Sequence, residues 1–418
     1  MQDETQRDLP SLADRDWLKA PSTQKVLAAL ASAGHEARVV GGAVRNALLG
    51  VAVVDIDIAT PAAPESVMQV MQAAGLAAIP TGIDHGTVTV VCDGRPFEVT
   101  TLRRDVETDG RRAVVAYTAD WAEDARRRDF TVNALYCDAG GRVHDPLGGY
   151  PDLAARRIRF IGDAADRIRE DFLRILRFFR MHAVYGAGPL DRDGLLASER
   201  NRDGLARLSA ERVRAELLRI LTAPGAVAAV MALHEHGILS FVLGAAPRPG
   251  LLAGLAASEA RLGLRADPVL RLSVLALAVE DGKPPLVDRL RLAGSEQRDL
   301  LVFDRRWGER MAATTEVEQR RELYRLGAEA WRRHVLAALA GGAGPDRFDA
   351  LYNLPQVWPP PRFPLSGKHV LALGLPPGRA VGTLLVAAEE WWVAHDFPPA
   401  DALEAQLGSL VAQRKARS

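Results

Sequence analysis

Cysteine is scarce in this chain, since only Cys92 and Cys137 occur among 418 residues. A disulfide framework needs more cysteines and an oxidising compartment, so the count excludes the small disulfide-rich secreted class. Lysine is also scarce, with five among 53 basic residues, which shows an arginine bias but by itself indicates no function. The thiol content predicts a reducing compartment, and we expect the protein to be cytoplasmic.

Long apolar runs and an excess of charge are missing as well. The most apolar stretch, Pro268 to Val279, is too short to span a bilayer and is interrupted by Arg271. Residues 1–16 are polar and acidic, without the apolar core of a secretory signal. The 53 basic residues are balanced by 53 acidic ones, which argues against a general coat of positive charge. We therefore expect no membrane partner, and a nucleic-acid partner only in a local groove.

The hydrophobic pattern divides the chain into a mixed α/β part and a helical part. The predicted helices of the first part are 23–33, 43–49 and 64–74, and its predicted strands are 36–40, 51–58, 86–92 and 96–102. Asp93-Gly94 predicts a hairpin between the last two strands. Strand signals end near Arg156, after which Leu, Ala and Arg recur at helical spacing. Pro355 to Pro364 predicts a stiff polyproline-type connector.

The most informative stretch runs from Val39 to Thr60, VVGGAVRNALLGVAVVDIDIAT. Asp55 and Asp57 lie two residues apart in a predicted strand, so both side chains project from one face. Two like charges in an apolar strand are costly unless they share a cation, and Mg²⁺ prefers carboxylate and phosphate oxygens. Gly41-Gly42 precedes a predicted helix, where a missing Cβ lets the backbone approach phosphate, and Arg45 follows in the first turn. A lone Asp-x-Asp is most often an exposed strand edge, but this combination predicts a metal and nucleotide site.

The order of motifs resembles the nucleotidyltransferases of the polymerase-β superfamily. The sequences RRRDFTVNA (126–134), HDPLGGYPDL (144–153) and EDFLRILRFFR (170–180) narrow the resemblance to class II tRNA nucleotidyltransferases, the CCA-adding enzymes, and to bacterial poly(A) polymerases. The resemblance is strong over residues 38–220 and implies an α/β polymerase-β-like head followed by an all-α neck, body and tail. The implied divisions are a polar leader at 1–20, a catalytic head at 21–155, a neck with base recognition at 156–222, a body at 223–354 and a tRNA-binding tail at 355–418.

The resemblance also implies roles for individual residues. Asp55 and Asp57 would hold metal ions, with Mg²⁺ as the cofactor, and Glu98 is our candidate for a third catalytic carboxylate. An alternative for Glu98 is a strand residue paired with Arg103 or Arg104. The expected nucleotide-binding residues are Gly41, Gly42, Arg45, Arg128, Asp129, Asp171, Arg174, Arg177 and Arg180. One departure is visible, because Asn46 stands where the family usually has aspartate.

The segment from Asp171 to Arg180 predicts a helix with two unlike faces. At 100° per residue the apolar side chains Phe172, Ile175, Leu176 and Phe179 form one stripe, and Asp171, Arg174, Arg177 and Arg180 occupy the opposite half. Solvated ion pairs are the simplest alternative for that polar half. Cytosine and adenine both present an amino donor beside a ring-nitrogen acceptor. A carboxylate at Asp171 and a guanidinium at Arg174 match that pattern and mismatch guanine and uracil.

The resemblance predicts template-independent addition of CCA, from CTP and ATP, to the 3′ end of tRNA. The expected partners are the tRNA acceptor end, CTP and ATP, with no protein partner evident. Poly(A) polymerase and partial CC or A addition are alternatives, and a non-catalytic RNA-binding protein on this fold is a different class. The polar segment Leu102 to Thr118 is predicted as a loop, and such a loop accompanies full CCA addition in the resembling family.

Overall fold

The computed structural model describes residues 9–417 apart from 110–111, 245, 277–284, 302–306 and 343–344. Within these ranges the chain forms two compact units. The first unit comprises Met1–Ala245 with Asp288–Arg291, and the second comprises Ala246–Val287 with Leu292–Ser418. The described strands all lie in the first unit. The predicted α/β head followed by helices is therefore confirmed.

A mixed sheet forms the centre of the first unit. The strands are β1 (Arg38–Val40), β2 (Asp57–Thr60), β3 (Ala77–Gly82), β4 (Thr87–Cys92), β5 (Arg95–Thr101), β6 (Arg103–Asp109), β7 (Arg112–Tyr117), β8 (Tyr136–Cys137) and β9 (Val143–His144). In the described part of the chain the sheet order is β3-β4-β5-β2-β1-β8-β9, and β6 pairs with β7 as a separate hairpin. The register aligns Asp57 with Val40 on antiparallel β1 and with Glu98 on parallel β5. Asp57 therefore lies where three strands meet.

Two strand predictions in this region need correction. Residues 51–56 were expected to continue the strand to Ile58, but they carry no regular structure and β2 begins only at Asp57. β1 is three residues long, and its last residue, Val40, pairs with Asp57. Residues 51–56 therefore have no partner on β1. Residues 102–118 were expected to be a loop, but 103–109 and 112–117 pair as the antiparallel strands β6 and β7, while 110–111 lie outside the described residues. Charged side chains such as Arg103 and Arg104 masked the strand pattern there.

Helices contact the strands of this sheet, and the described regular structure after β9 is helical. In the first part they are α1 (Asp16–Lys19), α2 (Pro21–Ser32), α3 (Gly42–Leu48), α4 (Pro64–Ala73), α5 (Trp121–Arg126), α6 (Tyr150–Ala154), α7 (Ala164–Glu170), α8 (Leu173–Tyr185), α9 (Arg192–Arg200), α10 (Ala210–Thr222), α11 (Ala226–Glu235) and α12 (Ile238–Leu243). They continue as α13 (Pro249–Arg261), α14 (Pro268–Ala276), α15 (Pro285–Leu290), α16 (Gly294–Leu301), α17 (Trp307–Ala312), α18 (Glu316–Leu326), α19 (Ala328–Ala340), α20 (Pro345–Val357), α21 (Gly367–Ala372), α22 (Arg379–Ala394) and α23 (Ala400–Arg417).

The helix predicted from Asp171 begins two residues later than expected. Asp171 has extended backbone angles, φ −152° and ψ 106°, and separates α7 from α8. The apolar stripe of α8 is confirmed for Ile175, Leu176 and Phe179, which are buried, whereas Phe172 is only half-buried. Asp171 thus lies in the link between α7 and α8. The orientation of its carboxylate is set by this extended residue, and not by its position on a helix.

The second unit is built on tryptophan-rich helix packing. Trp307 and Trp331 are buried edge to face, with ring centroids 4.9 Å apart. The predicted connector from Pro355 starts later than expected, because Pro355 lies inside α20 and the helix ends at Val357. Among the described helices, none combines the length and the apolar character needed to cross a bilayer.

Candidate active site

A cleft of ≈ 720 Å³ in the first unit collects nearly all the residues singled out from the sequence. Its walls come from the turn after β1, the start of β2, the segment around Arg128, and helices α8 and α10. The lining residues are Gly41, Gly42, Arg45, Asp55, Asp57, Arg128, Asp129, Asn133, Asp171, Leu173, Arg174, Arg177, Arg180, Met181, Arg212 and Arg219. Among the predicted site residues Glu98 alone is outside this lining. The cleft therefore joins the expected metal-binding and nucleotide-binding groups in one place.

The backbone of the Gly41-Gly42 turn lines the cleft. Gly41 has φ +67°, which disfavours any side chain, and a Cβ there would lie 3.5 Å from both Arg128 Nη1 and the Asn133 carbonyl oxygen. Helix α3 begins at the next residue, Gly42. Arg45 lies on this helix and is only 8% exposed. The turn thus brings a helix N-terminus and a guanidinium to the same wall.

The carboxylates of Asp55 and Asp57 line the cleft side by side, and both residues are exposed to it. Although Asp57 opens to solvent, the protein atoms around it limit its hydration and raise its pKa, and the charges of Glu98 and Asp55 raise it further. Arg128 opposes this shift. Concentrated negative charge of this kind fits a hard divalent cation. No group of three or more metal-ligating side chains occurs among the described residues. Mg²⁺ is commonly bound through one or two carboxylates together with phosphate oxygens and water, so a pair of carboxylates fits this ion.

Glu98 neighbours this pair without entering the cleft lining. It lies exposed on β5, at the position paired in register with Asp57. Its charge contributes to the raised pKa of Asp57. The structure thus brings Glu98 beside Asp57 and leaves its catalytic role a prediction.

Arg128 is fixed by a buried carboxylate that the sequence did not single out. Asp124 accepts hydrogen bonds from Arg128 Nη2 at 3.0 Å, Arg127 Nε at 2.8 Å and the Tyr136 hydroxyl at 2.8 Å. Burial alone would raise the pKa of Asp124, but the two arginines and the tyrosine hold it below its ordinary value. Asp124 is one helical turn before Arg128, a spacing that could have indicated the pair.

Asp129 and Arg177 form a second fixed pair across the cleft. Asp129 Oδ2 accepts from Arg177 Nε at 2.8 Å, and Asp129 Oδ1 accepts from Asn133 Nδ2 at 3.0 Å. Burial again opposes the charged form, and Arg177 and Asn133 outweigh it, so the pKa of Asp129 is lowered. Sequence reasoning missed Asn133, which in turn accepts a hydrogen bond from Arg45.

The predicted base-reading pair, Asp171 and Arg174, also lines the cleft. Asp171 Oδ2 accepts from Arg212 at 2.7 Å, and Arg174 donates to the Arg167 carbonyl oxygen at 2.8 Å and to Glu170. Asp171 and Arg174 therefore do not neutralise each other. A carboxylate has about four acceptor positions and a guanidinium has five donors, so both keep capacity for a ligand.

Helix α10 supports this wall with two residues that the sequence reasoning did not assign. Arg212 holds Asp171, and the buried Glu216 accepts from Arg180 Nε at 2.6 Å. Both lie on α10, four residues apart. That spacing predicts that Arg212 and Glu216 lie on the same face of α10. Their partners, Asp171 and Arg180, are 41 and 36 residues away in the chain. Only the tertiary structure pairs them.

Paired carboxylates at and just before the start of β2, in a cleft also lined by several arginines, define the class of this protein as a nucleotidyltransferase. The family described as "Poly A polymerase head domain" matches residues 37–159, and "Probable RNA and SrmB- binding site of polymerase A" matches residues 189–251. Among solved structures, the Bacillus stearothermophilus CCA-adding enzyme in complex with CTP aligns with a TM-score of 0.73 and 29% identity, covering 95% of this chain and 98% of that one.

Two curated relatives narrow the class to a family. "CCA tRNA nucleotidyltransferase 1, mitochondrial" of Mus musculus is 35% identical over 373 residues, covering 87% of this chain and 84% of the relative. The "CCA-adding enzyme" of Geobacillus kaustophilus is 37% identical over 253 residues, covering 60% of this chain and 61% of the relative. The chain therefore belongs to the CCA tRNA nucleotidyltransferase family. Nucleotidyltransferases of this kind generally use a divalent metal.

Proposed function

We propose that this protein adds the sequence CCA, from CTP and ATP, to the 3′ end of tRNA and releases pyrophosphate at each step. The observation that carries this proposal is that one cleft is lined both by the carboxylate pair Asp55 and Asp57 and by the Asp171 and Arg174 side chains that would read a base. The curated relatives named as CCA enzymes support the same substrates.

In the proposed reaction the tRNA 3′-hydroxyl attacks the α-phosphorus of the bound nucleotide. Asp55 and Asp57 would hold Mg²⁺, and the bound ion would supply positive charge to neutralise the phosphates and to lower the pKa of the hydroxyl. Gly41, Gly42 and Arg45 contact the phosphates, and Arg128 and Asp129 lie on the ribose and phosphate side. Carboxylate oxygens are the ligands that Mg²⁺ prefers, so the donor set fits this ion. Arg177 and Arg180 contact the nucleotide from α8.

The proposed base selection uses Asp171 and Arg174. Asp171 accepts from the amino group of cytosine or adenine, and Arg174 donates to the adjacent ring nitrogen. Guanine and uracil would leave facing donors or facing acceptors, each costing about 1 to 3 kcal/mol. Arg212 fixes the carboxylate through the 2.7 Å hydrogen bond, so the pair is oriented before the nucleotide arrives.

The decisive experiment uses tRNA that lacks its last three nucleotides, incubated with CTP and ATP separately and together. We expect CC with CTP alone and CCA with both, resolved by gel electrophoresis and sequencing. Long A tracts would instead identify a poly(A) polymerase. Binding of tRNA without any incorporation would identify a non-catalytic RNA-binding protein.

We also propose the role of Glu98 as a third catalytic carboxylate, supported by its register position beside Asp57. Glu98→Gln should lower the turnover rate much more than it weakens nucleotide binding. Equal losses in turnover and binding would contradict this role. A titration of activity with Mg²⁺, Mn²⁺ and Ca²⁺ tests the metal assignment.

We also propose the domain divisions at 20, 155, 222 and 354 and a cytoplasmic location. The location is supported by the two free, buried thiols of Cys92 and Cys137. Cell fractionation tests it, and this test matters because the Mus musculus relative is named as mitochondrial.

A further inference from the structure

Arg45 differs from the other arginines of the cleft in what surrounds its charge. The remaining cleft-lining arginines, Arg128, Arg174, Arg177, Arg180, Arg212 and Arg219, each lie within 4 Å of a carboxylate oxygen. Within the described residues, no carboxylate forms such a pair with Arg45, although this side chain is the most buried of the set.

The hydrogen-bond acceptors around Arg45 are all neutral. Its Nη2 donates to the Tyr185 hydroxyl at 2.7 Å and to Asn46 Oδ1 at 3.0 Å, and its Nη1 donates to Asn133 Oδ1. The guanidinium carbon also lies 3.9 Å from the centre of the Tyr185 ring. Neutral acceptors fix the orientation of a guanidinium but do not form an ion pair with it. Burial lowers the pKa of Arg45, and the nearby charge of Asp129 opposes that shift only in part. A guanidinium held in this way at the wall of a cleft attracts an anion.

Asn46 performs a task that aspartate could not perform in this chain. Its Oδ1 accepts from Arg45, and its Nδ2 donates to the Ala52 carbonyl oxygen at 3.1 Å. The Val51 amide also donates to the Asn46 carbonyl oxygen at 2.8 Å. A carboxylate at this position would accept from Arg45 but would face the Ala52 carbonyl with a second acceptor. The amide therefore ties α3 to the segment that leads into Asp55.

We propose that Asn46 and Tyr185 are positioning residues that hold Arg45 while leaving its charge available for the nucleotide phosphates. The proposal rests on the proposed function, because it takes the triphosphate of CTP or ATP as the anion. In this arrangement the neutral side chain at position 46 sets the affinity of the cleft for a nucleoside triphosphate. The same side chain keeps the Asp55 segment in place.

The test compares Asn46→Asp with a matched control, Asn201→Asp. Asn201 also donates from its amide to a carbonyl oxygen, that of Ala197 at 2.8 Å, but it lies outside the cleft lining. CTP binding is measured by calorimetry on the full chain, without tRNA, over a range of salt concentrations. We expect N46D to weaken CTP binding by about tenfold or more, as for loss of a charge-assisted hydrogen bond. The salt dependence of binding should become shallower, and N201D should bind like the wild type.

Two further variants separate charge from structure. Asn46→Ala removes the acceptor without adding a charge, so it should weaken CTP binding less than N46D and keep the wild-type salt dependence. Tyr185→Phe keeps the ring and removes the hydroxyl, so it should raise the KM for both nucleotides more than it lowers kcat. Thermal unfolding of each variant identifies those that fail to fold.

The outcomes that overturn the proposal are distinct from those that overturn the proposed function. CTP affinity of N46D equal to that of N201D, or N46A binding as weakly as N46D, would show that the charge at position 46 plays no part. A wild-type protein that binds CTP but transfers nothing to tRNA would refute the proposed function. The comparison of CTP affinities would then still decide the inference about Arg45.

Discussion

Replacing Asp129 with asparagine tests the best-defined ion pair of the cleft. The carboxylate accepts four hydrogen bonds, from Arg177 Nε and Nη2, from Asn133 Nδ2 and from the Phe130 amide. Asparagine has one oxygen and one amino group, so its amino group must face at least one of these donors. The substitution therefore leaves donors unpaired and removes the charge opposite Arg177.

The expected loss of stability follows from burial. Asp129 is buried and the Arg177 side chain is 34% exposed, so solvent can partly replace the lost partner of the arginine. Breaking a fully buried ion pair costs about 3 to 5 kcal/mol, and partial exposure lowers the expectation here to about 2 to 4 kcal/mol. A unit of this size loses about 2 to 4 °C of melting temperature per kcal/mol, which predicts a decrease of about 4 to 16 °C.

The difference in the free energy of unfolding between the wild type and D129N should become smaller as the pH falls. Because Arg177 and Asn133 outweigh the effect of burial, the pKa of Asp129 is lower in the folded protein than in the unfolded chain. The charged pair therefore contributes its full stability above the unfolded pKa of about 3.9. That contribution is lost as the pH falls through the lowered folded pKa. The two proteins should be far apart in stability at pH 7 and should converge below about pH 4.

The measurement must report on the first unit, because the chain contains two compact units that can unfold separately. Hydrogen exchange of the α8 amides, which lie on the helix of Arg177, meets this need. Asp120→Asn is the matched control, since Asp120 is exposed and asparagine also caps helices. Unfolding of D129N equal to that of D120N at pH 7 would refute the reasoning. A stability difference that persists unchanged at acid pH would refute the electrostatic part.

Further predictions concern the carboxylate pair and a tight glycine. Asp55→Asn and Asp57→Asn should each lower the rate of nucleotide transfer at least about a hundredfold. Mutation of a residue that only hydrogen-bonds a metal ligand already lowers metal affinity or activity by about 10- to 100-fold, and a ligand itself should matter more. Their CTP binding without metal should remain, and wild-type transfer rates would contradict the metal assignment. Gly149→Ala should cost about 3 kcal/mol, because its Cβ would lie 2.3 Å from the Thr131 carbonyl oxygen. Gly250→Ala, with open space around the Cβ, controls for an added methyl group in the second unit, and equal hydrogen exchange of the α8 amides in the two variants would contradict the expected clash.

Local patterns in the sequence predicted the parts of the fold that depend on near neighbours. The β4–β5 hairpin was predicted from two strand-like segments joined at Asp93-Gly94. It is confirmed, because Thr87 to Cys92 on β4 pair with Thr100 to Arg95 on β5. The strand predicted over residues 51–58 is wrong for residues 51–56, because its β-branched residues have no neighbouring strand in the sheet. A strand is stable only when its backbone groups pair, and that pairing depends on chain segments far away in sequence.

The site shows the same division. The sequence placed Asp55, Asp57, Gly41, Gly42 and Arg45 together because they lie within one short stretch, and all of them line the cleft. It also predicted that the polar half of α8 faces a ligand, and its arginines do line the cleft. The roles of these residues in the reaction stay predictions, which substitutions such as Asp55→Asn and Asp57→Asn test.

The residue types and their short-range spacing by themselves determined the carboxylate pair, the glycine turn, the amphipathic helix and the helical remainder of the chain. Only the tertiary structure decided which charge meets which partner. It paired Asp171 with Arg212, Arg180 with Glu216 and Asp129 with Arg177, and it surrounded Arg45 with neutral acceptors. The physical reason is that helix and turn formation depend on contacts within a few residues, whereas the balance of charge in a buried cleft depends on groups brought together by folding.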